Sequence, residues 1–217
     1  TSTGANVPLP GDLLAVWTGH EMIAWGAYRR HFDAPVQITG GRFDPASNTW
    51  VSVAHDQNTP IARIGATAVW TGREMLVWGG LSLPDNAYLN TGGRYDPVLD
   101  QWLPTSSTGM LPPPRRYAHT AIWTGTEMIV WGGDGLNGEL QDGFRYDPAS
   151  SRWSATSIGA DVPPARTGHL AVWTGNEMIV WGDAFGWTAI GGCYCGLSAP
   201  DPGPLPRGEG VRLFRKR

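Results

Sequence analysis

Short apolar runs recur along the chain, each cut off by glycine, proline or a charged pair. "LLAVW" (13–17) is followed by "MIAWGAY" (22–28), "ATAVW" (66–70) by "MLVW" (75–78), "HTAIW" (119–123) by "MIVW" (128–131), and "HLAVW" (169–173) by "MIVW" (178–181). Runs this short, rich in Val, Ile and Trp and bounded by turn residues, predict strands rather than helices. Between the members of each pair stands Thr-Gly-x-Glu, with glycine where a tight hairpin requires positive φ. The second run of each pair is almost wholly apolar, the pattern of a strand covered on both faces.

The pairs repeat with a period. Trp17, Trp70, Trp123 and Trp173 close the first runs at intervals of 53, 53 and 50 residues, and Trp25, Trp78, Trp131 and Trp181 follow eight residues later. Downstream come "GGRFDPASNTW" (40–50), "GGRYDPVLDQW" (92–102) and "DGFRYDPASSRW" (142–153), in which Phe43, Tyr95 and Tyr146 precede Trp50, Trp102 and Trp153 by seven. Asp-Pro in each of these phrases suits the first two places of a type I turn. Eleven of the twelve tryptophans occupy repeated positions, so their role is architectural. Each unit of about fifty residues reads as a four-stranded antiparallel sheet.

A unit of that length with a diglycine, then Tyr, then Trp, resembles the Kelch repeat of β-propellers, also seen in the propeller domain of galactose-oxidase-like proteins. The resemblance rests on Arg63, Arg116 and Arg166 seven before the first Trp, His119 and His169 four before it, and the pairs Gly79-Gly80 and Gly132-Gly133, besides the aromatics above. The first unit departs from it, with Pro10 and Leu13 for Arg and His, and Gly26-Ala27 and Gly182-Asp183 break the diglycine. WD40 units are shorter and end in Trp-Asp, and sialidase Asp-boxes place the aromatic five residues after Asp rather than six. The resemblance implies an all-β propeller whose blades span 11–62, 63–115, 116–165 and, incompletely, 166–195. Residues 1–10 then read as the end of a preceding blade and 196–217 as an irregular basic tail. Four blades without a closing partner predict an open arc, with a four-bladed ring closed by residues 1–8 as the alternative. An open arc exposes apolar blade edges and so predicts self-association. Trp181 is expected to be wedged between sheets.

Composition narrows the partners. The formal net charge is -3, which gives no general attraction to nucleic acid. Arg207, Arg212, Arg215, Lys216 and Arg217 against Asp201 and Glu209 make the tail locally basic; "RLFRKR" reads as a solvated end. No apolar run is long enough for a membrane-spanning helix. Cys193 and Cys195 are the only cysteines, too few for a disulfide scaffold. The Arg-rich, Lys-poor repeats look like those of bacterial secreted proteins, which implies an extracellular or cell-envelope location.

A meander of four strands puts its first and third turns on one face and its second connection, with the link to the next blade, on the other. The turn face is constant among the units; the other varies, and binding residues concentrate on variable loops held by a rigid scaffold. The least repeat-like of these is "AYRRHFDAP" (27–35), where Tyr28, Arg29, Arg30, His31 and Phe32 have the aromatic-plus-arginine composition of a binding hot spot. Tyr88, and more weakly Asp134, Glu139 and Asp142, are further candidates. His119 and His169 lack a third metal ligand, so they read as packing or hydrogen-bonding residues, and Asp44, Asp96 and Asp147 as turn caps. In Cys193-Tyr194-Cys195, Tyr194 is the repeat's own tyrosine rather than part of a copper-radical site, and no cofactor is implied. The expected function is non-catalytic recognition of a protein or glycan. Two alternatives stay open: a galactose-oxidase-like or sialic-acid-epimerase-like enzyme, favoured if Arg63, Arg116 and Arg166 converge on solvent with acidic partners, and a structural repeat array in a larger surface protein.

Overall fold

A computed structural model describes residues 6–31, 34–83, 85–105, 112–156 and 162–182, with the backbone of 192–195. Among these residues every regular element is a β-strand. The first sheet is β1 (Asp12–Trp17), β2 (Met22–Tyr28), β3 (Gln37–Asp44) and β4 (Thr49–Ser52), paired in that order. Next come β5 (Arg63–Ile64), β6 (Thr67–Trp70), β7 (Met75–Trp78), β8 (Leu81–Ser82), β9 (Gly92–Asp96) and β10 (Gln101–Pro104). Of these, β6, β7, β9 and β10 form the second sheet and β5 pairs with β8. The third sheet is β11 (Thr120–Trp123), β12 (Met128–Trp131), β15 (Gly143–Asp147) and β16 (Arg152–Ala155), with the ribbon of β13 (Asp134–Gly135) and β14 (Gly138–Glu139) between them in sequence. The fourth contains β17 (Leu170–Trp173), β18 (Glu177–Trp181) and β19 (Gly192–Cys195).

All pairings are antiparallel and their registers coincide. The first Trp of each unit opposes Met22, Met75, Met128 or Met178, and each of those opposes Phe43, Tyr95, Tyr146 or Tyr194 on the third strand. One hairpin motif fixes the register at the first turn. In the second unit Glu74 N–H donates to Thr71 Oγ1 at 2.9 Å and Thr71 N–H to the Glu74 carbonyl at 3.0 Å, with Gly72 at φ 94° between them. At the third turn the aspartate closes an Asx cap: Asp44 Oδ1 accepts from Ala46 N–H at 2.8 Å and Asp96 Oδ1 from Val98 N–H at 2.9 Å.

Consecutive sheets pack face to face through side chains that point alternately to the two neighbours. Val16, Ile23 and Trp25 of the first sheet meet Ala66, Met75, Val77, Tyr95 and Trp102 of the second. Val69, Leu76 and Trp78 meet Met128, Val130, Tyr146 and Trp153 in the same way, and Ile122, Ile129 and Trp131 meet Met178 and Val180. Because the second strands take part in two seams at once, Met75–Trp78 and Met128–Trp131 are buried along their whole length. The tryptophans carry the contact across: Trp25 lies 5.3 Å from Trp102 and Trp78 5.0 Å from Trp153, centroid to centroid.

No core cluster among the described residues joins the fourth sheet back to the first. Leu170 (72% exposed), Val172 (57%) and Trp181 (42%) are open on the fourth sheet, and Trp17 (55%) on the first. The expectation that Trp181 is wedged between sheets is therefore corrected: its counterparts Trp25, Trp78 and Trp131 are buried by the sheet that follows them, and among the described residues no such sheet follows β18.

Candidate interaction face

The repeated polar residues are occupied in building the blades. Arg63 is buried and donates through Nη1 to the carbonyls of Gly79 at 2.9 Å and Thr91 at 2.7 Å, and through Nε to Ile61 at 3.0 Å. Burial pushes its guanidinium down to about 10, so it remains charged at neutral pH. Arg116 repeats the geometry on Gly132, Asp142 and Pro114, with Asp142 Oδ1 2.9 Å from Nη2 and the guanidinium 5.4 Å over the Phe144 ring. Arg166 does so on Gly182 and Pro164. These arginines lie in blade contacts and do not converge on solvent.

His119 and His169 reach backwards across a seam. His119 Nε2 is 2.8 Å from Thr67 Oγ1 of the preceding sheet and its ring meets Trp78 edge-on at 5.3 Å; His169 does the same with Thr120 and Trp131. A Cβ on Gly79 or Gly132 would lie 2.6 or 2.7 Å from the imidazole Cε1, so the glycine leaves room for the ring. At the first seam the polar pair is replaced, while Gly26 keeps the place of Gly79. Leu14 stands for Thr, Ala66 for His, and Gly26-Ala27 for Gly-Gly, and Leu14 packs in the apolar cluster that holds Ala66. Among the described residues no group of three or more His, Cys, Asp or Glu could hold a metal ion.

On the variable face the structure gathers residues at the junction of the second and third sheets. Tyr88 donates from its hydroxyl to Asp134 Oδ2 at 2.9 Å, its ring lies 5.4 Å from that of Tyr117, and its carbonyl accepts from Arg115 at 3.4 Å. The Asp134 carboxylate at that hydrogen bond holds the Tyr88 phenol above its ordinary value. Tyr117 and Asp134 exchange backbone hydrogen bonds at 3.0 and 2.9 Å, which fixes the link onto the loop. Leu136, at the tip of the β13–β14 ribbon, is exposed. Two of these residues, Tyr117 and Arg115, are missing from the sequence-based candidates although Tyr117 has a signal: its counterparts are Ile64 and Thr167. Tyr28 and Arg29, both half-buried, and the exposed Arg30 and His31 sit at the end of β2 in the first sheet. Phe32 lies outside the described residues, as do the side chains of Cys193, Tyr194 and Cys195 and the whole basic tail.

The constant face is not uniform. Between the second and third sheets it holds a groove of about 620 Å³ whose walls include Glu74, Arg94, Trp123, Thr126, Glu127 and Asp147. Arg94 is held by Glu74 at 2.9 and 3.2 Å and Arg145 stands 3.7 Å from Glu127. Arg73, which also borders this groove, stands in the place of Thr126 one unit earlier, and its exposed guanidinium lies 3.5 Å from Asp96, in the place of Asp147.

Four-residue turns, diglycines and buried tryptophans repeated over face-to-face antiparallel sheets define the blades of a β-propeller. A family model described as the KLHDC2/KLHL20/DRC7 Kelch-repeats domain matches residues 13–194, and the chain belongs to the Kelch-repeat family. No curated protein matches it.

Proposed function

We propose that this chain is a non-catalytic module that takes a protein partner on the variable-loop face. Kelch propellers serve as protein-interaction modules, and the observation that carries the reading here is the Tyr88–Tyr117–Asp134–Arg115 cluster. It offers aromatic area and charge on a preorganised frame, the combination that concentrates binding energy. The loop at 28–31, with Tyr28, Arg29, Arg30 and His31, flanks the same face on the neighbouring blade, and Phe32 belongs to the same proposal. Arg63, Arg116 and Arg166, whose convergence on solvent would favour an enzyme, are instead spent on backbone carbonyls.

The test is quantitative affinity capture with three forms of the chain: the parent, Tyr88→Ala/Arg115→Ala, and a form with 28–31 replaced by serines. Proteins enriched by the parent and lost from one altered form identify the loop that binds. An identical captured set from all three sinks the reading. The open apolar faces of the first and fourth sheets further support self-association through them. Sedimentation velocity is expected to show a concentration-dependent rise that Leu170→Ser/Val172→Ser reduces; a concentration-independent monomer excludes it.

A further inference from the structure

The turns that border the groove on the constant face differ from unit to unit. In the first unit the third residue of the Thr-Gly-x-Glu turn is His20, in the second Arg73 and in the third Thr126, while Asp44, Asp96 and Asp147 stand across from them at the Asp-Pro turn. Thus the first two units put a basic side chain near their aspartate, and the third puts a short neutral one there. Within the second unit the guanidinium of Arg73 extends to Asp96, and across the seam of the first and second sheets Arg42 donates to the Pro97 carbonyl. At the seam of the second and third sheets, Thr126 ends short of Asp147 and the groove is open.

Along the open groove every charge but one has a partner within ion-pair distance, and the exception, Asp147, feels Arg94 only from farther away. Glu74 holds Arg94, Glu127 faces Arg145 and Arg73 is directed to Asp96. Asp147 makes no ion pair among the described residues; its carboxylate accepts from Ala149 N–H at 2.8 Å and from the Ser150 hydroxyl at 2.6 Å. Partial burial pushes its pKa up, but those hydrogen bonds, helped by the Arg94 guanidinium, outweigh burial and leave it below the ordinary carboxylate value. It is therefore an anion at neutral pH, with the neutral Thr126 where Asp96 has Arg73. Trp123, half-buried, supplies an aromatic wall beside it.

We propose that this groove is a second binding site, on the face opposite the variable loops, and that it receives an arginine side chain from a partner polypeptide. The guanidinium takes the place on Asp147 that Arg73 takes on Asp96, and the aliphatic stem lies along Trp123. Arginine fits better than lysine because a planar guanidinium both pairs with a carboxylate and lies against an aromatic surface. The site is independent of the Tyr88 cluster, so either can fail without the other.

The experiment follows the Trp123 indole N–H in 15N-labelled whole chain, assigned through Trp123→Phe, during titration with acetyl-Gly-Arg-Gly-amide. The neutral isostere acetyl-Gly-citrulline-Gly-amide serves as control. The arginine peptide is expected to shift the signal saturably and the citrulline peptide not to. Asp147→Asn should weaken binding about tenfold, the scale of one charge-assisted contact. Thr126→Arg should abolish it by placing a guanidinium beside Asp147 in cis. Undisturbed dispersion of the remaining indole signals shows that each variant is folded. Equal responses to both peptides, no response to either, or unchanged binding by Thr126→Arg overturns the proposal.

Discussion

The seam between the first and second sheets and the seam between the second and third are made from the same repeat and held by different chemistry. At the first, Leu14 packs in the cluster of Ala66 and the contact is apolar. At the second, Thr67 is hydrogen-bonded to His119, whose ring lies against Trp78 and Gly79. The third seam repeats the second with Thr120 and His169. In each ring Nε2 has a partner while the buried Nδ1 has none, so losing the Nε2 partner would leave both nitrogens unpaired, which is costly. Removing both polar groups together leaves nothing unpaired, which is what the first seam has done. Identical backbones thus accept either solution, provided both sides of the seam change at once.

The largest effect that separates a closed seam from an open face should come from tryptophan. Trp78→Ala removes a fully buried ring that touches both Trp153 and His119, and a loss of about 3–5 kcal/mol in urea unfolding is expected. Were it to cost no more than Trp181→Ala, the seams would not be where stability resides. Acid should next distinguish the polar seams from the apolar one. Burial holds His119 down to about 3 and His169 to about 4, so both are neutral in the folded chain at neutral pH. The unfolded chain takes up their protons below about 6.5. Stability is therefore full above that value and falls as pH drops from there toward 4, by about 1.4 kcal/mol per histidine per pH unit. Urea midpoints at pH 7.5 and 5.0 should differ in the parent and differ less in His119→Ala. A difference that is the same in both would place the acid sensitivity elsewhere.

Converting the second seam to the chemistry of the first sharpens the point. Thr67→Leu and His119→Ala should each destabilise alone, and together should recover about 1–2 kcal/mol of the summed losses, the range of coupling for residues in contact. Strict additivity would mean that the two positions do not sense each other. The smallest effect belongs to the open face: Trp181→Ala should change stability by less than about 1 kcal/mol, because its ring is already partly in water.

Much of this was legible in the sequence. Strand pairs, the glycine of the Thr-Gly-x-Glu hairpin and the Asp-Pro caps follow from local pattern, because they are short-range and repeated. Which side chains meet across a seam is not local. Thr67 and His119 lie 52 residues apart, and their joint replacement by Leu14 and Ala66 becomes visible only once the sheets are known to face one another. The same holds for Trp181, whose burial depends on a neighbour rather than on its own unit. On the variable face Tyr88 could be picked out as an unrepeated aromatic, but Tyr117 stands in a link between blades, and only the pairing with Asp134 carries it to the same place. The groove at Asp147 turns on one substitution, Thr126 for Arg73, whose meaning requires seeing each turn beside its aspartate.

The change from one Leu–Ala seam to two Thr–His seams also bears on how a chain of near-copies assembles. If the first sheet were shelved against the third, Leu14 would lie on the His119 imidazole and leave its nitrogen without a mate. If the second were shelved against a copy of itself, Thr67 would face Ala66 across a gap. The first sheet is thus marked off from the rest, whereas the second and third, which both offer Thr to a following His, carry the same label, so order at those two seams has to be written elsewhere in the blades.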